Sequence, residues 1–230
     1  IHGCLVGSEM CIRDRSALSS GFRHPNVDDM GKVREKGGFV LMPNPNLRPE
    51  YLYTAEQALS WSMDPNRDVL KVDAAVFASL WNDAIVQAND TWEGDSLFWI
   101  DGDWARVQTN QNLDRAWVRG ARLNVSARLW PKTTCRGVIN WTRGSRLSGD
   151  PTPLAHIPPT FGRAEVRRSL AVGYVGCFVQ FARAKREEDY GPGSTDNLEE
   201  ALPEGTPSWA TLNLEGSLKV TDAWELRLAG

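Results

Sequence analysis

The side chains that could carry out chemistry are few in this sequence, and they stand far apart. Among the cysteines, Cys4 and Cys11 are too distant from each other for a C-x-x-C redox pair, and the histidines form no cluster at metal-ligand spacing. No nucleophile stands near a general base, no glycine-rich loop could hold a phosphate, and no two carboxylates have a recognisable catalytic spacing. The sequence therefore predicts no enzyme, no cofactor and no bound metal.

The charge balance and the hydropathy pattern exclude two further classes of protein. The formal net charge is −3, with 26 basic and 29 acidic residues, whereas a nucleic-acid surface needs clustered Lys and Arg. No apolar run approaches the roughly 20 residues of a membrane-spanning helix. The longest candidate, 170–182, contains two glycines and Gln180. Composition alone is that of a soluble globular protein of one or two domains, but composition does not detect alternation.

The first 15 residues differ in character from the rest of the chain. The segment "VGSEMCIRDR" (6–15) has neither helical nor strand periodicity, and its charged residues exclude a secretory signal. Residues 5–14 back-translate to CTC GTG GGC TCG GAG ATG TGT ATA AGA GAC, which resembles transposase-adaptor DNA from sequencing libraries. We therefore predict that residues 1–15 are translated adaptor DNA and that residues 16–230 carry the function.

Alternation of apolar and polar residues is the dominant pattern in the remaining chain. In 121–130, Leu123 and Val125 alternate with Arg122 and Asn124. Successive side chains of a strand point to opposite faces, so such a segment has one apolar and one polar face. The pattern, strong in some segments and weaker in others, predicts strands at 51–63, 69–81, 118–130, 134–143, 161–168, 174–184, 209–220 and 223–230.

Tight turns and long polar loops alternate between these strands. Turns are predicted at 64–68, 131–134 and 221–222, and long loops at 23–49, 83–112, 148–160 and 186–206. Long loops without secondary structure are uncommon in compact domains, whereas a transmembrane β-barrel has short turns on one side and long loops on the other. The residues near strand ends that could form aromatic girdles are Trp61, Trp81, Trp130 and Trp141.

We therefore predict an all-β fold: a partial antiparallel transmembrane β-barrel, present as an open curved sheet of about eight or nine strands. Cys135 and Cys177 would be small residues on its lipid-facing side. The inward-facing candidates are Glu56, Lys71, Asp73, Arg122 and Arg128. Two alternatives remain open at this point: a soluble β-sandwich whose Trp-rich loops bind carbohydrate, and a passive outer-membrane porin.

Two loop segments resemble motifs of a known family. "GFRHPNVDDMGKV" (21–33) and "PNPNLRPEYLYTAE" (43–56) resemble the FRAP and NPNL boxes of TonB-dependent outer-membrane receptors, particularly those of the Bacteroidetes type. The resemblance extends over 18–230, and its box residues are Phe22, Arg23, Pro25, Pro43, Asn44, Pro45, Leu47, Pro49 and Glu50. Because proline fixes φ and asparagine caps its own backbone, we interpret the second box as a structural re-entry from loop to strand.

The resemblance implies energy-coupled import of a scarce nutrient, such as a siderophore, haem, vitamin or oligosaccharide, across the outer membrane of a Gram-negative bacterium. The implied partners are the TonB complex, a small-molecule or metal-chelate ligand and outer-membrane lipid, but no nucleic acid. Residues 16–230 would form the C-terminal part of the barrel, with the plug domain, the TonB box and the closing strand outside this chain. The inward-facing residues would line the wall or contact the plug.

The loop histidines His24 and His156 need a separate interpretation. Haem receptors of this family use a loop histidine associated with the two boxes as an iron ligand. Here His24 stands inside the first box, where alanine is usual, and residues 26–42 between the boxes contain no histidine. We interpret both histidines as polar surface residues and keep His24 as a haem-ligand candidate.

Overall fold

The chain folds almost entirely into β-strands. A computed structural model describes residues 2–3, 10–63, 69–147, 151–191, 202–221 and 223–230. The strands are β1 (His2–Gly3), β2 (Met10–Arg23), β3 (Arg34–Lys36), β4 (Phe39–Met42), β5 (Glu50–Met63), β6 (Leu70–Asn89), β7 (Leu97–Ile100), β8 (Asp103–Trp130), β9 (Thr133–Arg146), β10 (Phe161–Leu170), β11 (Gly173–Ala182), β12 (Trp209–Lys219) and β13 (Glu225–Ala229). A helix α1 (Val27–Gly31) and a 3₁₀ turn (Glu187–Asp189) complete the described elements. Neither is long and apolar enough to cross a membrane.

In the described part of the chain, the strands form one sheet of 13 strands. Its main path runs β1-β2-β5-β6-β8-β9-β10-β11-β12-β13, and each neighbouring pair is antiparallel. The eight predicted strands and the open antiparallel barrel sheet are therefore confirmed. A sandwich needs two sheets packed face to face, so the soluble-sandwich alternative is wrong.

Strand β2 was not among the predicted strands. It pairs along its whole length with β5, from Met10 opposite Met63 to Arg23 opposite Glu50. Residues 10–15 thus belong to the strand, where Cys11 is half-buried and the side chains of 12–15 are exposed. The adaptor origin of residues 1–15 concerns the nucleotide sequence and stays a prediction.

Most of the segment predicted as a loop at 83–112 is β-structure, so that prediction is wrong. β6 continues to Asn89 and β8 begins at Asp103. The paired extensions place Gln87 opposite Asn110 and Asn89 opposite Gln108. Alternation identifies a strand only where apolar and polar residues take turns, whereas Ala84, Ile85 and Val86 of β6 are apolar in succession and residues 108–112 of β8 are all polar.

The segment predicted as a loop at 23–49 also contains regular structure. It holds α1 and the β3–β4 hairpin, and β4 adds to the sheet by pairing in parallel with residues 106–109 of β8. These strands are only three and four residues long, too short for alternation to reveal them. The predicted turn at 64–68 and the loop residues 148–150 and 192–201 lie outside the described residues.

The register gives the sheet an apolar outer face and a polar inner face. Leu59, Ala74 and Leu123 lie side by side on the outer face, and Ser60 and Asp73 lie side by side on the inner face. Large apolar side chains on the outer face are exposed, among them Leu212 at 71% and Leu214 at 64%. Apolar surface of this extent is typical of a wall that faces lipid.

The outward positions predicted for Cys135 and Cys177 are confirmed, whereas the girdle position predicted for one of the tryptophans is wrong. Cys135 and Cys177 both lie beside Val166 on the outer face. Trp81 was predicted in an aromatic girdle, but it shares the inner face with Ser79 and packs against a cluster that includes Leu154. A loop folded onto the inner face supplies this contact, which alternation along one strand does not show.

A glycine on the inner face makes room for an aromatic ring. Gly120 of β8 lies opposite Phe77 of β6, and a Cβ atom on Gly120 would stand 2.5 Å from Phe77 Cε1 and 2.7 Å from the Trp141 carbonyl oxygen. We expect Gly120→Ala to lower the free energy of unfolding by about 1–3 kcal/mol, because overpacking displaces the ring or the backbone.

The measurement is denaturant unfolding of the full-length receptor in detergent. Gly137→Ala on β9 is the matched control, because a Cβ atom there meets nothing within 4 Å. Equal destabilisation by the two substitutions would contradict the steric argument.

Candidate functional site

The two box segments meet at a carboxylate that is almost completely buried. Arg23 ends β2 and Glu50 begins β5, and the register places them opposite each other. Arg23 Nε donates to Glu50 Oε1 at 2.5 Å, and Arg23 Nη1 donates to Asp29 Oδ2 at 2.6 Å. The Ile85 N–H donates to Glu50 Oε2 at 2.9 Å. Arg23, Asp29, Glu50 and Ile85 thus form a unit, here called the box junction, that ties the first box and β5 to β6.

The start of α1 holds Asp29 in place within the box junction. Asn26 caps the helix by accepting from the Asp29 N–H at 2.7 Å, and the Asn26 N–H donates to Asp29 Oδ2 at 3.0 Å. This is a capping box, in which two helix-end donors are satisfied reciprocally. The same carboxylate oxygen accepts from Arg23, so the cap also orients the guanidinium.

The second box is fastened to β8 through asparagine side chains. Asn44 Nδ2 donates to the Asn110 carbonyl oxygen at 2.8 Å. Asn112 Oδ1 accepts from the Arg48 N–H at 2.8 Å, and Asn112 Nδ2 donates to the Arg48 carbonyl oxygen at 2.9 Å. Arg48 Nη2 also donates to Asp83 Oδ1 at 2.6 Å. These contacts support the structural interpretation of the box, because its polar groups bond to protein.

Asp90, directly after the end of β6, is a carboxylate with a lowered pKa. The Thr109 hydroxyl donates to Asp90 at 2.6 Å, the Thr91 N–H donates at 2.8 Å and Gln111 Nε2 donates at 3.0 Å. These bonds, with Thr109 first, hold the pKa of the Asp90 carboxyl below its ordinary value. Since the folded pKa lies below the unfolded one, this stabilisation is present above the unfolded pKa and is lost as the pH falls through the folded pKa.

The two loop histidines lie in different surroundings. His24 is exposed, and its ring stands edge-on to Phe22 with 5.6 Å between the ring centroids. His156 has a positive φ of 62° in the loop between β9 and β10. Within the described residues, no group of three His, Cys, Asp or Glu side chains could hold a metal ion. The haem-ligand role of His24 stays a prediction.

The register places the five predicted inward residues on the same face of the sheet. Glu56 Oε1 accepts from Arg15 Nη2 at 2.5 Å. Asp73 accepts from the Ser60 hydroxyl at 2.5 Å and lies 3.2 Å from Lys71 Nζ. The remaining two, Arg122 and Arg128, are exposed on the inner wall. Contact of these residues with a plug or a ligand stays a prediction.

The sequence reading missed a charged ladder on β10 and β12. Arg167 Nη2 lies 2.6 Å from Glu215 Oε1, and Arg163 Nη2 lies 2.9 Å from Glu165 Oε2. The Arg163 guanidinium also stands 3.6 Å from the centroid of the Phe178 ring. In "FGRAEVRRSL" charged residues occupy alternate positions, which is a sign of such a ladder. The residues between them include the small Gly162 and Ala164, so the alternation of apolar and polar residues is weak.

The single curved sheet, the lipid-facing outer surface and the connections of unequal length define the class of an outer-membrane β-barrel. Residues 13–230 match a family model described as TonB dependent receptor-like, beta-barrel. The chain therefore belongs to the TonB-dependent receptor family. Members of this family are transporters rather than enzymes, and they lie in the outer membrane of Gram-negative bacteria. The matched range begins at residue 13, inside the segment for which an adaptor origin is predicted.

Solved structures share the fold at low sequence identity. The copper transporter OprC is 16% identical, with a TM-score of 0.73 over 99% of this chain and 31% of its own. The siderophore receptor PirA from Acinetobacter baumannii is 13% identical, with a TM-score of 0.65 over 95% of this chain and 34% of its own.

A variant of the ferric enterobactin receptor PfeA from Pseudomonas aeruginosa is 12% identical, with a TM-score of 0.65 over 95% of this chain and 32% of its own. The chain thus spans about a third of the length of these structures. No curated protein matches the sequence.

Proposed function

We propose that this chain is part of a receptor that imports a scarce nutrient in an energy-coupled manner, and that the nutrient is anionic. Siderophores, haem, vitamins and oligosaccharides are the candidate classes, and an anionic metal chelate fits the inner wall best. Family membership supports the import function. The proposed partners are the TonB complex, reached through a plug and a TonB box in the same polypeptide, and outer-membrane lipid around the barrel. A passive porin is the remaining alternative.

The proposal of an anionic nutrient depends on a group of arginines on the inner wall that have no acidic partners. Arg122, Arg128 and Arg136, here called the wall arginines, lie on the inner face of β8 and β9 and are exposed. No carboxylate in the described residues lies within ion-pair distance of them. Arg136 is opposite Glu165, but that carboxylate is already paired with Arg163 and lies 3.5 Å from Arg167 Nε.

Unpaired guanidiniums on a concave wall favour anions for two physical reasons. A guanidinium presents a rigid fork of N–H donors that matches a carboxylate or phosphate group. A cleft lined by one sign of charge also concentrates counter-ions of the opposite sign. The chain as a whole carries a net charge of −3, so the cationic character belongs to this wall and not to the protein in general.

Uptake by the full-length receptor tests this proposal. We expect Arg122→Gln/Arg136→Gln to reduce uptake of a radiolabelled ferric catecholate chelate about tenfold, which corresponds to the loss of about 1.4 kcal/mol of interaction with the anion. Arg168→Gln is the matched control, because Arg168 is an exposed arginine on the outer face of β10.

Energy coupling has a separate readout in the same cells. Uptake by the unmodified receptor should disappear in a strain that lacks TonB. Uptake that persists there would support a passive porin. Equal loss in the Arg168→Gln control, or selective uptake of a neutral oligosaccharide, would contradict the anionic class while leaving import intact.

A further inference from the structure

Two arginines face each other directly on the outer surface of the barrel. Arg119 of β8 is the cross-strand partner of Arg143 of β9, and both side chains are exposed. Like charges directly opposite each other destabilise a sheet. Within the part of the chain that the structure describes, neither side chain has an ion-pair or hydrogen-bond partner. This arrangement, here called the outer arginine pair, is unfavourable unless an anion bridges it.

The outer arginine pair lies at the upper end of the apolar band. On β8 the outward residues between Arg119 and the far end of the strand are apolar: Ala121, Leu123, Val125, Ala127 and Leu129. On β9 the outward residues below Arg143 are also without charge: Cys135, Gly137, Ile139 and Trp141. Ten residues of a tilted strand rise by about 25 Å, the height of the apolar band of such barrels.

The side of the membrane follows from the connections. The tight turn at Pro131–Lys132 joins β8 to β9 at the end opposite the outer arginine pair. The long connections, including 147–160 and 183–208, lie at the same end as the pair. Short turns are periplasmic and long loops are extracellular in these barrels. The outer arginine pair therefore stands at the level of the headgroups of the outer leaflet.

An indole ring lies beside the pair on the outer face. Trp141 is the next outward residue of β9 below Arg143 and is 40% exposed, as expected of an indole at a membrane interface. The pair thus stands where the apolar band meets the interface.

We propose that the outer arginine pair binds a phosphate group of an outer-leaflet lipid, the class represented by the phosphorylated glycolipid of Gram-negative outer membranes. Two guanidiniums on neighbouring strands can each donate two N–H groups to one phosphate, which relieves their mutual repulsion. The ligand is a lipid and not a transported anion, because both side chains point away from the lumen. The proposal is independent of which nutrient the receptor imports.

The test is lipid retention by the full-length receptor purified in detergent. Native mass spectrometry would compare the unmodified receptor with Arg119→Gln/Arg143→Gln after addition of purified lipopolysaccharide. We expect about a tenfold weaker retention in the double variant, and partial recovery in Arg119→Lys/Arg143→Lys, which restores the charge without the fork. Heat-dependent migration on gels verifies that each variant is folded.

Two arginines elsewhere in the barrel serve as matched controls. Arg168→Gln removes an outward arginine near the turn at the opposite end of the strands, and Arg122→Gln removes an inward arginine of β8. Neither should change retention. Unchanged retention in the double variant, equal loss in the controls, or full competition by inorganic phosphate at equal concentration would each overturn the assignment to a lipid headgroup.

Discussion

Leu214→Arg destabilises the folded barrel by about 2–4 kcal/mol, the range found for an arginine on the lipid face near the middle of the bilayer. Leu214 is 64% exposed on the outer face and lies beside Cys177. It stands midway along β12, between Trp209 at one end and Lys219 at the other. At this depth an arginine cannot reach either interface without deforming the surrounding lipid.

The adjacent residue gives a matched control for Leu214→Arg. Asn213 is on the same strand at the same depth, but its side chain faces inward and bonds to Thr211. Asn213→Arg should therefore change the free energy of unfolding by less than about 1 kcal/mol. Denaturant unfolding of the full-length receptor in lipid vesicles measures both. Comparable losses in the two variants would mean that the outer face of β12 does not contact lipid.

The faces of the sheet could be predicted from the sequence because alternation is a local signal. The outward positions of Leu214 and Cys135 and the inward position of Asp73 depend only on the parity of residues along one strand. In neighbouring strands, outward residues pair with outward residues and inward residues with inward residues, so each face continues from strand to strand. Strand existence and face were therefore accessible from the sequence alone.

The parts that sequence reasoning missed depend on contacts between distant segments. Pairing of β4 with β8 joins Val40 to Val107, and no local pattern indicates which strand a loop will meet. Arg23 and Glu50 were each identified as box residues, but their ion pair follows from the β2–β5 register. Strand β2 was missed because residues 10–15 were assigned to translated adaptor DNA, and because serines flank Leu18 on the outer face of the remaining residues. Recognition of that strand would have revealed the Arg23–Glu50 pair.

Arg23→Ala should lower the free energy of unfolding by about 2–3 kcal/mol, because it leaves the buried Glu50 carboxylate without its guanidinium. Removal of one partner from a fully buried ion pair costs about 3–5 kcal/mol. The Arg23 side chain is 46% exposed whereas that of Glu50 is 5% exposed, so solvent screening reduces the expected cost. The Ile85 N–H still donates to Glu50 and offsets part of the loss.

An exposed ion pair in the second box provides the control. Arg48 lies 2.6 Å from Asp83 with side chains 66% and 29% exposed, so Arg48→Ala should cost less than about 1 kcal/mol. In Arg23→Ala/Glu50→Ala the orphaned carboxylate is gone, and the double variant should be little less stable than Arg23→Ala. Denaturant unfolding gives the three free energies, and hydrogen exchange at the Ile85 amide reports on the box junction directly. A loss for Arg23→Ala no greater than that for Arg48→Ala, with unchanged exchange at Ile85, would show that the box junction does not hold the loop against β6.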